Sequence, residues 1–290
     1  MRILVTGRSG QLAASLAEMA ADRPGSELIF LGRPEFDLEM TEQISEQIEA
    51  GRPELVINAA AYTAVDKAET EPERAFAINR DGAAAGARAA ARLGVPFVHV
   101  STDYVFDGRK AEPYREMDET GPLNVYGRSK LEGERAVLEA HPQALILRTS
   151  WVFSPFGSNF LKTMLKVGAE RSVLKVVNDQ TGNPTSASDL AAAILGIAPV
   201  LRSEPGGLYH LTGEGSTNWH DFAAFIFQES RRYGGPAPLL EAISSADYKA
   251  AALRPANSRL DCRAFVSRFG VKLRPWTEAA AEAIARCLAH

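Results

Sequence analysis

Short apolar runs alternating with helical stretches along the first half of the chain constrain its fold more than any other feature. Ile3-Leu4-Val5, Leu28-Ile29-Phe30-Leu31, Leu55-Val56-Ile57-Asn58, Phe97-Val98-His99-Val100 and Ala144-Leu145-Ile146-Leu147 read as strands. Between them, Gln11–Ala21, Thr41–Ala50, 72–93 and 123–140 read as helices, with Thr41 as an N-cap and Gly94 closing the third. Strands that are apolar throughout have both faces covered, and the intervening helices supply the cover. The pattern predicts an α/β domain over residues 1–150, built on a doubly wound parallel sheet.

After Thr149 the rhythm changes to aromatic and proline-punctuated segments, among them Trp151, Phe153, Phe156, Phe160, Trp219 and Phe222. These predict a smaller, mainly substrate-binding lobe over 151–290. Segments near 173–200 (Val173-Leu174-Lys175-Val176-Val177 and the helix after Ser188) are expected to return to the first domain.

Charge and composition exclude several classes. A net charge of −4 over 290 residues argues against a surface built for nucleic acid. The longest apolar stretch, 190–201, falls short of the roughly 20 residues of a membrane span, and the N-terminal apolar run is too short for a signal-peptide core. Cys262 and Cys287 have no metal-ligand spacing and make no disulfide scaffold. The five histidines, His99, His141, His210, His220 and His290, show no zinc spacing either. The expectation is a soluble cytoplasmic protein with no metal, no nucleic acid and no membrane partner.

Thr6-Gly7-Arg8-Ser9-Gly10-Gln11-Leu12-Ala13 joins the first strand to the first helix. Glycines there let the backbone turn tightly and approach a pyrophosphate, which the helix N-terminus attracts. The spacing is G-x-x-G-x-x-A. Dinucleotide folds selecting NAD place an acid at the end of the second strand, about 20 residues on. Here that strand ends Leu31-Gly32-Arg33-Pro34. An arginine pairs with a 2′-phosphate where a carboxylate would repel it, and Arg8 offers a second cation. NADPH is therefore the expected cofactor, with NADH as the alternative; the bland reading leaves both arginines merely solvated.

Tyr126-Gly127-Arg128-Ser129-Lys130 sets a tyrosine and a lysine one helical turn apart, on one face. A nearby cation favours the tyrosinate, which makes tyrosine a usable proton donor to a carbonyl oxygen receiving hydride. Val100-Ser101-Thr102-Asp103 lies at the carboxyl end of a sheet strand, where doubly wound folds bind ligands. Thr102 is placed to orient the same oxygen. Structural capping is the bland alternative for Ser101 and Thr102.

With the glycine loop, Asn58-Ala59-Ala60-Ala61-Tyr62-Thr63-Ala64-Val65-Asp66, Ser101 to Gly108 and Pro122 to Lys130 resemble the extended short-chain dehydrogenases. More narrowly they are similar to the dTDP-4-dehydrorhamnose reductase family. Arg148 to Phe153, Asp179 to Thr185 and Arg254 to Leu260 continue the match in order. The resemblance implies a Rossmann-type fold and NADPH-linked reduction of the C4 ketone of dTDP-4-dehydro-6-deoxy-L-mannose to dTDP-L-rhamnose. It implies Thr102, Tyr126 and Lys130 as catalytic. By motif position Gly10, Gln11, Leu12, Asp37, Leu38, Ala59, Ala60 and Ala61 would line the dinucleotide with Tyr126 and Lys130, joining Gly7, Arg8 and Arg33 from the glycine turn and the second strand's end. Thr102, Asp103, Trp151, Arg254 and Asn257 would meet the substrate.

Some members of that family dimerise around magnesium held by glutamates, one on the first helix; that position here is Ser15, so no metal is carried over. A homodimer stays open as a partner. A 4,6-dehydratase of the same fold has a glutamate after the Thr-Asp pair, where this chain has Tyr104. Other nucleotide-sugar reductases, an epimerase, and a non-catalytic NADP-binding regulatory subunit resembling the methionine adenosyltransferase β-subunit are the alternatives. The retained Tyr126–Lys130 pair weighs against the last.

Overall fold

The computed structural model describes residues 1–21 and 25–289. Its first half runs β1 (Arg2–Thr6), α1 (Gln11–Ala21), β2 (Glu27–Leu31), α2 (Thr41–Ala50), β3 (Leu55–Asn58), α3 (Val65–Ala68) and α4 (Pro72–Phe76). A π-helical stretch (Ala77–Gly82) leads into α5 (Ala83–Leu93), followed by β4 (Phe97–Thr102), a 3₁₀ turn (Asp103–Val105), α6 (Val125–Ala140) and β5 (Leu145–Thr149). The helix expected over 72–93 thus contains a wider turn, which buries Asn79 beneath α6. Thr41 is already the first helical residue of α2; Met40 precedes it, and its side chain makes no capping hydrogen bond to the described residues.

The second half runs β6 (Val152–Phe153), α7 (Phe160–Glu170), β7 (Val173–Val177), β8 (Thr181–Gly182), β9 (Thr185–Ser186) and α8 (Ala187–Leu201). It continues with β10 (Gly207–His210), β11 (Thr217–Asn218), α9 (Trp219–Arg231), β12 (Leu239–Ile243), α10 (Arg263–Phe269) and α11 (Trp276–Leu288).

Six parallel strands form the main sheet in the order β10-β5-β4-β3-β1-β2. Along β1 the side chains alternate between faces. Ile3 and Val5 join Leu12 and Leu16 of α1 and Leu190, Ile194 and Ile197 of α8 in one core. Leu4 joins Ile44 and Ile48 of α2, Ala87 of α5 and Val137 of α6 on the opposite face. The sheet is therefore covered by helices on both sides. From β1 the chain turns one way to β2, then crosses to β3 on the other side, opening a crevice between the carboxyl ends of β1 and β3.

Two segments after residue 150 depart from the sequence reading. Residues 173–177 do not join the main sheet: β7 pairs in parallel with β12 in a separate two-stranded sheet. Its outward residues Val173 and Lys175 are exposed, a pattern suited to a one-sided sheet. The sixth main-sheet strand is instead β10, a short segment with no continuous apolar run. Helix α8 does pack on the main sheet, against α1. Helices α7, α9 and α11 surround a further core built on Phe153, Leu161, Phe222, Ile226 and Ile284. Trp219-His220-Asp221-Phe222 opens α9, with Asn218 accepting a hydrogen bond from the Asp221 amide at 2.8 Å.

Candidate active site

A cleft of about 690 Å³ lies across the carboxyl ends of β1, β2, β3 and β4 and reaches the start of the second lobe. Gly7, Arg8, Gly10, Gln11 and Leu12 line it from the first turn, Arg33, Asp37 and Leu38 from beyond β2, and Ala59, Ala60 and Ala61 from beyond β3. Thr102, Asp103, Tyr126, Lys130 and Trp151 line its other end. Arg254 and Asn257 do not.

The glycine turn has the shape a dinucleotide needs. Gly7 has φ +105°, a conformation strained for any residue with a Cβ, and such an atom would stand 3.4 Å from the Ala60 amide nitrogen. A Cβ at Gly10 would meet no atom of the described residues within 4 Å, so the space beside the start of α1 is open to a phosphate. Arg8 and Arg33 are exposed at the β2 side of this cradle. Arg8 lies 3.3 Å from Glu35, a solvated pair that restrains it little. The donor set fits a dinucleotide carrying a 2′-phosphate. Gln11 ties this turn to the second lobe: its Nε2 donates to the Val152 carbonyl at 3.2 Å, and its Oε1 accepts from Ser154 and Asn159, each at 2.9 Å.

Asn124 caps α6 by accepting from the Gly127 amide at 2.7 Å, which fixes where Tyr126 enters the cleft. The Tyr126 ring is half-buried, edge-on to Tyr104 at 5.9 Å. Burial of its hydroxyl pushes the phenol up to about 12, the Thr102 hydroxyl pulls it back, and the Asp103 carboxyl pushes it further up. Thr102 donates to Asp103 Oδ1 at 2.9 Å and also accepts from the Tyr104 amide at 3.2 Å, so it caps the turn after β4 while facing Tyr126. Asp103 is buried, and its Oδ2 has no hydrogen-bond partner among the described residues. Burial raises its carboxyl to about 7 against the opposing hydroxyls of Ser258 and Thr102.

Lys130 is 2% exposed. Its Nζ donates to the Val100 carbonyl at 2.6 Å and lies 3.3 Å from His99 Nε2. Burial lowers the ammonium to about 8, and the Glu134 carboxylate opposes the shift. The lysine is thus anchored to β4, and burial outweighs charge at Tyr126.

Trp151 has φ +46° and stacks on Trp219 with centroids 3.5 Å apart and planes at 8°. Such a backbone conformation costs about 1–3 kcal/mol and survives only where packing enforces it. The stack and the bare backbone of Gly182, where a Cβ would collide with the indole, supply that packing.

The two remaining sequence candidates serve other contacts. Arg254 donates to Asp66 at 2.7 and 3.2 Å, joining α3 to the chain beyond residue 250. Asn257 donates to the carbonyls of Lys110 and Glu112 at 2.6 and 3.0 Å and accepts from Arg259, which uses its amide within the chain. Sequence reading missed the support beneath the cleft. Glu134 accepts a fork from Arg148 at 2.7 and 2.9 Å and a bond from Ser101 at 2.5 Å, all buried. Residues 33 and 14 positions apart in sequence carry no local signal of such a pairing. Among the described residues, no group of three or more His, Cys, Asp or Glu side chains converges as metal ligands; His290 lies outside them. Ser15 is buried on α1. No described helix is long and apolar enough to cross a membrane.

The family model described as the RmlD substrate binding domain matches residues 1–289. A dTDP-4-dehydrorhamnose reductase of Sinorhizobium fredii is 49% identical, the match covering 96% of this chain and 95% of that one. The Escherichia coli K12 protein of the same name is 43% identical over 95% and 94%. A Clostridium acetobutylicum dTDP-4-dehydrorhamnose reductase superposes with TM-score 0.91 at 35% identity, over 98% of each chain. That of Bacillus anthracis, solved in complex with NADP, gives 0.90 at 34%, over 97% and 98%. With relatives of this kind along nearly its whole length, the chain belongs to the dTDP-4-dehydrorhamnose reductase family.

Proposed function

We propose that the protein reduces the C4 ketone of dTDP-4-dehydro-6-deoxy-L-mannose to dTDP-L-rhamnose with NADPH. The single observation that carries this reading is the convergence of Thr102, Tyr126 and Lys130 at one end of a cleft whose other end is the glycine turn. Family membership supplies the substrate class. NADPH, when bound, supplies the hydride.

The chain's own residues handle the proton. Tyr126 donates its hydroxyl proton to the oxygen at C4 as the carbonyl carbon is reduced, and a tyrosine with its proton firmly held enters the reaction in the form that can donate. Thr102 orients that oxygen, and Lys130, fixed to the Val100 carbonyl, lines the same end of the cleft, where it would hold the cofactor ribose. Asp103 and Trp151 contact the sugar. In this reading residues 1–150 mainly bind the dinucleotide and 151–290 mainly the substrate, in the cytoplasm.

The test is loss of NADPH absorbance when the purified protein alone meets the dTDP-linked ketosugar, with NADH and the UDP-linked analogue for comparison. Stoichiometric oxidation with dTDP-L-rhamnose as product is expected. Cofactor binding without oxidation would overturn the reading in favour of another ketosugar or a non-catalytic role.

A further inference from the structure

Three polar side chains lie abreast beneath the cleft, on adjacent strands. Thr6 of β1 is in register with Asn58 of β3, and Asn58 with His99 of β4. Thr6 Oγ1 donates to Asn58 Oδ1 at 2.5 Å, Asn58 Nδ2 meets His99 Nδ1 at 2.9 Å, and His99 Nε2 meets Lys130 Nζ at 3.3 Å. All four residues are at most 2% exposed. Buried polar groups of this kind are satisfied by one another.

The direction of each bond is dictated by the next. An amide NH₂ only donates, so His99 Nδ1 accepts, and a neutral imidazole then carries its proton on Nε2. An Nε2–H facing Lys130 needs a lone pair on Nζ, which a neutral amine has and an ammonium lacks. The opposite arrangement keeps the same contacts: an ammonium donates to Nε2, Nδ1–H donates to Asn58 Oδ1, and Asn58 Nδ2 donates to Thr6, whose own hydroxyl proton turns away from Asn58. We propose that Thr6, Asn58 and His99 form a reversible hydrogen-bond ladder that couples the protonation state of Lys130 to the tautomer of His99. Passing from the ammonium to the amine arrangement releases one proton to solvent, moves the ring proton from Nδ1 to Nε2 and turns the Asn58 amide over.

The surrounding charges leave this ladder as the adjustable partner. On its own helix, Lys130 has Tyr126 one turn before it and Glu134 one turn after; Glu134 is held by Arg148 of β5 and Ser101 of β4. Asp103, at the end of β4, lines the same cleft. His99 is buried with its proton affinity well below the ordinary range, burial acting first and Lys130 second, so the ring stays neutral and responds by changing tautomer. The positioning role for Lys130 rests on the reductase reading; the tautomer linkage does not.

Two-bond ¹H–¹⁵N spectra of the full chain labelled with ¹⁵N-histidine, with His99 assigned through His99→Gln, read the linkage directly. From pH 6 to 10 the His99 proton is expected to move from Nδ1 to Nε2 with a midpoint near 8, the value to which burial brings Lys130. A tautomer that is constant over this range overturns the proposal. Asn58→Asp, ionised opposite the Lys130 ammonium, replaces the amide with an acceptor-only group of the same shape. It is expected to hold His99 in the Nδ1–H form throughout and to move the alkaline limb of kcat upward by about one pH unit or more. An Nε2–H form in that variant would also overturn the ladder. Neither spectrum depends on turnover, so failure of the reductase reading would show separately, as absent NADPH oxidation.

Discussion

The α-carbon of Gly133 faces the backbone carbonyl oxygen of Asn79 with no room for a methyl group between them. This contact lets α6, which carries Tyr126 and Lys130, lie directly on the π-helical turn, where Asn79 Nδ2 donates to Ser129 at 2.9 Å. Gly133→Ala is expected to destabilise the fold by about 1–3 kcal/mol, a fall in Tm of roughly 2–5 °C. Gly196→Ala, on α8 with open space beside it, is the control and should leave Tm unchanged or slightly raised. Thermal melts of the two variants check this, and equal Tm values would contradict the close approach.

Arg148 and Glu134 form a buried fork, with side chains 4% and 3% exposed. Arg148→Met removes one partner and leaves a carboxylate in the interior, so a loss of about 3–5 kcal/mol is expected in denaturant titrations. Pairing it with Glu134→Leu removes the stranded charge and should recover a large part of that loss. If the double variant were no more stable than the single one, the penalty would not come from the unpaired charge.

Tyr126→Phe keeps the ring and removes the transferable proton. The expected result is a fall in kcat of roughly 10²–10⁴-fold with NADPH affinity little changed. Wild-type turnover in this variant would exclude Tyr126 as the acid.

Arg33→Asp sets a carboxylate where a 2′-phosphate would lie. NADPH should bind roughly 10–100-fold more weakly, and NADH much less so. Fluorescence titration with both cofactors measures the ratio; equal losses would mean that Arg33 does not read the phosphate.

Asp103 titrates near 7 in the fold, above the ordinary carboxyl value. An acid with a raised folded pKa leaves stability intact below its unfolded pKa and removes it as pH climbs toward the folded value. Stability should therefore decline from about pH 4 to about pH 7 through this group. Asp103→Asn is expected to raise Tm at pH 8 and to have little effect at pH 4. A gain of the same size at both pH values would show that the effect is not ionisation.

What the sequence determined by itself is what short-range physics encodes. The alternation of apolar strands with helices predicted a parallel sheet because each run must be covered on both faces. The glycine turn at residues 7–10 and the one-turn spacing of Tyr126 and Lys130 were legible because turns and helix faces are local properties. The tertiary structure decided which residues lie side by side across strands. It assigned the sixth strand to Gly207–His210 instead of 173–177, since strand membership depends on which edge is left open. It turned Arg254 toward Asp66 and spent the Asn257 amide on two backbone carbonyls, choices made by neighbours more than 140 residues away. It also set His99 against Lys130 and Arg148 against Glu134: burial makes such pairings mandatory, and only the register of the sheet determines the partner.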